Sequence, residues 1–589
     1  MKLELRIALL SLLVVVAGCG GGTVNSKDRI GSLNRQKVKV DEPALDDSFE
    51  KAMQGYRKFL QEADQGEGMA TAEAMRRLAD LQLEAGSGSL DFIKQAQQKK
   101  TDSNAKTAIA PPTSGKSVST PLAAGEPIDP AKFDIMQQST GVQLAGSGES
   151  QQAFEKRATQ ISDLPAGGAA VALPPGAAQD QQEAVVNANT DEAIKLYKQL
   201  LEKYPLYERN DQVMYQLARA YEDGGRQEEA KAVLDQLVVK YPLSVHYDEA
   251  QFRRGEIFFV RKQYFDAEEA YTEVIKKGAS SAFYDQSLFK RGWSLFKQSS
   301  YEQGMQDFLV LLDIKTAAGY HIPIESNKTE YQRVEDTFRV VSLAFSYLGD
   351  ATYINEFFGR NGHRDYEYLI YNHLAEHYLE KRRYQDAAAT YKAFVAIYPM
   401  HEKAAEFDMR TIEIFRKGQF PKLVIESKRD FAEKYALNSQ YWTYHSINTF
   451  PDIINFIKAN LQDLAKHYHS LSQRERKPEA QQEAYREAAR WYRGFLASFG
   501  DDAAAPEYNF LLAELLYDNK AFQEAAAEYE RTAYAYPVHP QSAESGYAAI
   551  LAYRDYQQQA PEHMKAGINK EMIRSSLQFG DTYPAHPQA

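Results

Sequence analysis

The 589-residue chain holds a single cysteine, Cys19, and that scarcity removes whole classes of explanation. No internal disulfide can form, and no second thiol is left for a cysteine nucleophile or a thiolate metal cluster. Positive charge is in deficit: 69 Lys and Arg against 81 Asp and Glu leave a net charge of −12. That balance opposes nucleic acid and flat adsorption on anionic lipid. Beyond the first twenty residues no long apolar run appears, so nothing later reads as a membrane-spanning helix. Catalytic signatures are equally scarce. No Gly-x-Ser-x-Gly elbow occurs, and Ser114-Gly115-Lys116-Ser117 imitates the end of a phosphate loop whose first glycine is replaced by Ala110.

What the chain does have is a rhythm. Ala193, Ala230, Ala267 and Gly304 stand 37 residues apart, each followed four positions later by a large apolar residue: Tyr197, Leu234, Tyr271 and Phe308. A small side chain lets a neighbouring helix approach, and the bulky one a turn later fills the space beside it. Upstream of these lies a second helix with its own small position, as in Leu217-Ala218 with Tyr221, Gly255 with Phe258, and Gly292 with Leu295. Tyr204-Pro205 and Tyr241-Pro242 follow, where proline stops the helix. The unit is helix, turn, helix, proline, and a fixed period of this length implies stacked supersecondary units.

With these residues in place the chain resembles the tetratricopeptide repeat (TPR) family, whose signature is a small residue in each helix, surrounding aromatics and a late proline. Further copies occur at Leu374, Ala375, Tyr378, Ala387, Tyr391 and Pro399, and at Leu512, Ala513, Ala525, Tyr529 and Pro537. A looser copy joins Leu464, Ala465 and Tyr468 to Ala488, Tyr492 and Phe495 after an eleven-residue insertion. Degenerate copies run from Leu343 to Phe358, with a short second helix, and from 403 to 437. The resemblance implies an all-α solenoid, and the longer repeat with its Tyr-Pro is similar to bacterial envelope TPR proteins of the BamD-like and Tol-Pal-associated kinds.

The leader points the same way. Lys2 and Arg6 flank an apolar run, Ile7 to Ala17, of secretory length. Val16-Ala17-Gly18-Cys19 then resembles the bacterial lipoprotein box, which implies a signal peptide over 1–18 and lipid (palmitate) on Cys19. Gly20, rather than aspartate, follows, and the resemblance then favours the outer membrane, periplasmic face. Two or three acyl chains would anchor firmly where one does not.

The remaining organisation follows composition. Residues 19–42 read as a flexible tether and 43–86 as a helical, TPR-like segment. Residues 87–188 are rich in Gly, Pro, Ala, Ser, Thr and Gln, and read as a disordered insert in which Phe133 to Met136 and Phe154 to Ile161 are short docking segments. Leu78-Ala79 looks like a first helix lacking its second, and Ala193, Tyr197 and Pro205 like a second lacking its first. One repeat split by the insert is therefore expected, although Gln82 stands where other copies put Tyr or Leu. Regular repeats fill 189–320, further repeats including degenerate ones 321–437, and C-terminal repeats 438–589, which end without an evident polar cap.

Binding positions come from the resemblance. In TPR folds the first helices line the concave face, and positions three before and four after the small residue point there. Here these are Phe252, Phe259, Phe289 and Phe296, with Trp293 beside Gly292, a candidate groove for an apolar peptide. The alternative is that the rings pack between helices. The lysine and asparagine set of carboxylate-clamp TPRs is missing. His373-Leu374-Ala375-Glu376-His377 formally matches an inverted zincin pattern, but Leu374 and Ala375 are packing positions and no third ligand declares itself. The expectation is a scaffold for other cell-envelope proteins, with no enzyme activity, cofactor or nucleic acid. The alternatives are a part of a secretion, pilus or motility machine, or the helical portion of a longer peptidoglycan-acting enzyme.

Overall fold

The computed structural model describes residues 45–63, 68–85, 130–138, 142, 144, 149–160, 177–319 and 328–589. The leader, Cys19, the tether, Ile161 and most of the insert lie outside them. Every regular element among the described residues is helical. Contacts divide the chain into two units, residues 1–98 with 173–213, and residues 99–172 with 214–589.

The first unit contains α1 (Leu45–Glu62), α2 (69–85) and α4 (Ala177–Lys203). Helix α4 begins inside the stretch whose composition reads as insert, eleven residues before its expected end at 188. The two halves of the expected split repeat touch: Tyr197 Oη donates to Asp80 Oδ1 at 2.7 Å, and Tyr207 Oη donates to Glu73. Both carboxylates are shared with Arg76, whose guanidinium is buried between them. Beside Ala79 the side chain of Gln82 is fully buried at 0% exposure, and neither of its amide atoms has a hydrogen-bond partner. A buried unsatisfied amide is destabilising, whereas leucine there matches the other repeats. Gln82→Leu is therefore expected to stabilise this unit by about 1–2 kcal/mol, read as a higher denaturation midpoint.

The second unit is a run of antiparallel helix pairs. After α5 (Asn210–Asp223), which the unit boundary crosses, come α6 (Gln227–Lys240), α7 (Tyr247–Val260) and α8 (Tyr264–Ile275), then α9 (Tyr284–Lys297) and α10 (Tyr301–Ala317). Helices α11 (Lys328–Leu348) and α12 (Ala351–Asn361) form the degenerate pair, and the short α12 leaves α11 packed directly on α13 (Glu367–Glu380). Regular pairing resumes with α14 (Tyr384–Ile397), α15 (Ala404–Lys417) and α16 (Pro421–Lys434). A single turn, α17 (Tyr441–Tyr444), precedes α18 (Pro451–Arg474) and α19 (Pro478–Ser498). Here the eleven extra residues lengthen both helices instead of forming a loop. The series ends with α20 (Ala505–Asp518), α21 (Phe522–Tyr534), α22 (Ser542–Gln559) and α23 (Glu562–Thr582), where Ile573 and Leu577 remain 51% and 66% exposed.

The turns share one backbone device. Gly225, Lys262, Ser299, Arg382, Gln419 and Lys520 all have φ between +57° and +69°, each five residues before the second-helix packing position. The next N–H reaches back to the first helix, as in Gln263 N to Phe258 O at 2.9 Å and Phe420 N to Phe415 O at 3.0 Å. This is the Schellman closure of a helix C-terminus. Five of these left-handed residues are not glycine, so the closure overcomes their local strain.

Small residues behave as packing requires. Ala193, Ala230, Ala267, Ala387, Ala488 and Ala525 are fully buried, and Gly255, Gly292 and Gly304 are buried as well. A Cβ on Gly255 would lie 2.5 Å from Tyr271 Cε1, and one on Gly292 2.7 Å from Phe308 Cε1, so each glycine seats the aromatic of the following helix. On Gly304 a Cβ would meet the Gly292 carbonyl oxygen at 2.9 Å. Replacing a mid-helix glycine ordinarily gains about 1 kcal/mol. Here overpacking outweighs that gain, and Gly292→Leu is expected to cost about 1–3 kcal/mol. Gly567, with no neighbour within 4 Å, should show the opposite sign as Gly567→Ala in the same thermal melt.

Candidate protein-binding face

The first helices of successive pairs, α7, α9, α11, α13, α15 and α18, form one face of the second unit. Part of that face is covered by the chain itself. A 3-10 turn at Pro130–Lys132 packs on α18, where Ile135 is buried and Met136 half-buried. Val142 lies beside Glu406 and Arg410 of α15. Then α3 (Gln151–Gln160) docks on α9 and α11. The segment therefore runs antiparallel to the order of the repeats, from α18 back to α9. Both expected docking stretches lie on this face, over the portions that are described.

At α3 the contact is an aromatic core rimmed by charge. Phe154 is buried with its ring 5.9 Å from that of Trp293, and the Arg339 guanidinium stands 4.2 Å above its centroid. Arg157 makes a fork to Asp336 at 2.7 and 2.9 Å and a second pair to Glu149 at 3.0 Å. These hydrogen bonds, to Glu149 first and to Asp336, raise the Arg157 pKa, and Arg157 in turn holds the Glu149 carboxyl below its ordinary value. Glu149 also receives Arg339 at 2.8 Å, and Glu155 pairs with Lys297. Lys290 Nζ donates to Thr159 O at 2.9 Å, a cation at the C-terminal end of α3 where the helix dipole favours one.

The five aromatic positions separate. Phe252 stacks on Phe283 at 5.3 Å, and Phe289 meets Phe308 edge-on at 5.9 Å, so these two rings belong to the inter-helix core. Phe259 lies under the Lys290 ammonium and against Tyr264. Phe296 joins Tyr301 and Tyr347, and Gln151 Nε2 donates to the Tyr347 hydroxyl at 2.7 Å. Trp293, at 0% exposure, touches Phe289, Phe296, Phe308 and the docked Phe154. The stripe is thus not an open groove: all five rings are buried, and what covers Trp293 is the chain's own Phe154.

Arg253 and Lys290 escaped sequence reasoning, and His373 was singled out only within the zincin-like pattern, although a shared signal existed. All three stand two residues before the small position of a first helix, and each faces a carboxylate from an earlier repeat: Glu222, Glu256 and Glu335. Aligning the repeats on their small residues brings these three bases into one row. His373 also stacks on Phe338, while burial lowers the His377 pKa and raises that of Glu376. The guanidinium of Arg410 sits on Glu376 at 3.5 Å and disfavours a cation there. No group of three or more possible metal ligands occurs among the described residues. Chelation by EDTA is expected to leave the thermal midpoint unchanged.

The tetratricopeptide repeat family matches residues 177–207 and 212–244, and again 479–540. Among solved structures, a tetratricopeptide repeat protein from Parabacteroides merdae is 13% identical, over 48% of this chain and 96% of that one, with a TM-score of 0.24. Naa15/Naa10 bound to HypK-THB is 11% identical over 69% and 67%, with a TM-score of 0.24. Yeast Tom70 is 12% identical over 67% and 98%, with a TM-score of 0.15. No curated protein sequence matches the chain. The chain contains TPR repeats, an architecture of protein–protein interaction scaffolds, in an all-α solenoid. No helix among the described residues is long and apolar enough to cross a membrane.

Proposed function

We propose that the protein is a lipid-anchored scaffold of the bacterial outer membrane, facing the periplasm, whose TPR repeats dock other envelope proteins during assembly of a complex. The observation that carries the scaffold reading is a first-helix face able to hold a peptide segment through one buried aromatic and a ring of ion pairs. Support for the location comes from Lys2, Arg6 and the apolar run ending in Val16-Ala17-Gly18-Cys19, with Gly20 after it. Lipid on Cys19 fixes position and the solenoid presents the surface, so partners are concentrated beside the membrane. Cells expressing the wild type and Cys19→Ala are labelled with radioactive palmitate and fractionated. Label and outer-membrane recovery are expected only for the wild type; an unlabelled wild-type chain would overturn the anchor. Mass spectrometry of what co-purifies in detergent should return envelope assembly proteins, and recovery of a peptidoglycan-cleaving activity instead would favour the enzyme-scaffold alternative.

A further inference from the structure

The geometry points to segment 149–160 as a built-in occupant of the α9–α11 face, one that a partner helix of the same chemistry displaces: a buried Phe, an acidic residue directly after it and an Arg three positions on. The inference rests on the scaffold reading and names the ligand class of that face.

The occupant is held in the manner of a removable ligand. Its helix has ten residues, below the length at which an isolated helix persists in water, so it forms only against the face. Only two of its side chains are buried, Phe154 and Ala158. The rest of the attachment is polar: Arg157 to Asp336, Glu155 to Lys297, Glu149 to Arg339, Gln151 to Tyr347, and the Thr159 carbonyl to Lys290. Such a rim fixes orientation and can be reproduced by a partner carrying the same charges, but because the Asp336 side chain is 3% exposed and Lys297 and Glu155 are partly buried, removing or reversing one member of a pair is costly.

The face beneath is built independently of the segment. Trp293 is braced by Phe289, Phe296 and Phe308, and Lys290 by Glu256, which also accepts the Tyr271 hydroxyl. Removing α3 leaves Trp293 beside Phe296, which itself meets Tyr347, an aromatic patch flanked by Lys290 and Lys297 of α9 and by Asp336 and Arg339 of α11. A bare patch of that composition is what an acidic–aromatic–basic helix complements. Because the occupant is tethered, it competes at high effective concentration, and a partner must match its chemistry to replace it.

The test uses the purified full-length protein and a fluorescent synthetic peptide of residues 149–160. In the wild type the tethered copy occupies the face. Phe154→Ala in the protein empties it, so the peptide is expected to bind that variant at least about tenfold more tightly than the wild type. Lys297→Glu in the same background should abolish binding, and a peptide carrying Glu155→Lys should restore it. Arg157→Ala serves as a second way to empty the face. Equal binding to the wild type and the emptied variants, or none to any, would overturn the inference. So would loss of the helical signal in both variants, which would make the segment a fixed part of the core. The assay needs neither lipid nor native partners, so its failure is distinguishable from failure of the anchored-scaffold reading.

Discussion

Arg253→Ala is expected to destabilise the second unit by about 3–5 kcal/mol, the cost of leaving a buried carboxylate without its cation. The Arg253 side chain is buried between two acids: Nη1 pairs with Glu222, while Nη2 and Nε reach Glu249 Oε1 at 2.8 and 3.1 Å. Burial alone would lower the Arg253 pKa, but Glu222 and Glu249 outweigh it and raise the guanidinium above its ordinary value. Glu249 keeps a second donor, the Tyr215 hydroxyl at 2.6 Å, whereas Glu222 is buried next to Asp223 and depends on Arg253. Burial already raises the Glu222 pKa with the cation present, and removing Arg253 raises it further. In the variant the folded state then holds a proton that the unfolded state releases above about 4.5. Its deficit against the wild type should therefore shrink as pH falls from 7.5 to 5. Replacing both partners, as Arg253→Met with Glu222→Leu, should recover most of the loss, because an apolar pair carries no desolvation penalty. Urea midpoints by circular dichroism at the two pH values check all three outcomes, and a pH-independent deficit would count against Glu222 as the stranded charge.

The row to which Arg253 belongs shows what the sequence made legible. Small residues at fixed spacing located the helix pairs because their meaning is steric: Gly255 and Gly292 receive Tyr271 and Phe308 in the way the spacing implies. Aromatics were harder to place. Phe252 and Phe289 occupy positions that the TPR resemblance assigns to the groove, yet they pack between helices, since a ring three residues before a glycine reaches the neighbouring helix as easily as the open face. The left-handed turn residue was not legible, because lysine, serine, arginine and glutamine carry no local signature of positive φ and only repeat register reveals them. The docked segment was half legible. Phe133 and Phe154 stand out against a polar background, but the destination of Phe154 depends on Asp336, Arg339 and Lys297, which are long-range charges with no spacing rule linking them to residues 149–160.

Acidification from pH 7.5 to 5 is expected to remove about 4 kcal/mol from the α18–α19 pair through two histidines. His469 is buried, and burial alone lowers its pKa to about 4. Gln473 Nε2 donates to its Nε2 at 3.3 Å, so Nδ1 carries the proton and donates to the Tyr492 hydroxyl at 3.0 Å. His467 is likewise lowered to about 4, by burial first and then by Arg474 and Lys428, with Asp134 of the docked segment acting in the opposite sense. In the unfolded chain both rings titrate near 6.5. Between that value and about 4 the unfolded state binds protons that the folded state refuses, so stability falls with pH, by about 2 kcal/mol per histidine at pH 5. Buried carboxylates work against this: Glu222, Asp307, Glu376 and Glu514 are raised by burial and favour the folded state just above their ordinary range. The histidine contribution is therefore read as a difference between proteins. Trp491 lies buried on α19, and its fluorescence reports the unfolding of this pair in a background where Trp293 and Trp442 are replaced by phenylalanine. Guanidinium midpoints for the wild type and for His467→Gln with His469→Gln, each at pH 7.5 and 5, should show the wild type losing about 4 kcal/mol more than the variant on acidification. Equal losses would mean that both rings accept protons in the folded state as readily as in the unfolded one.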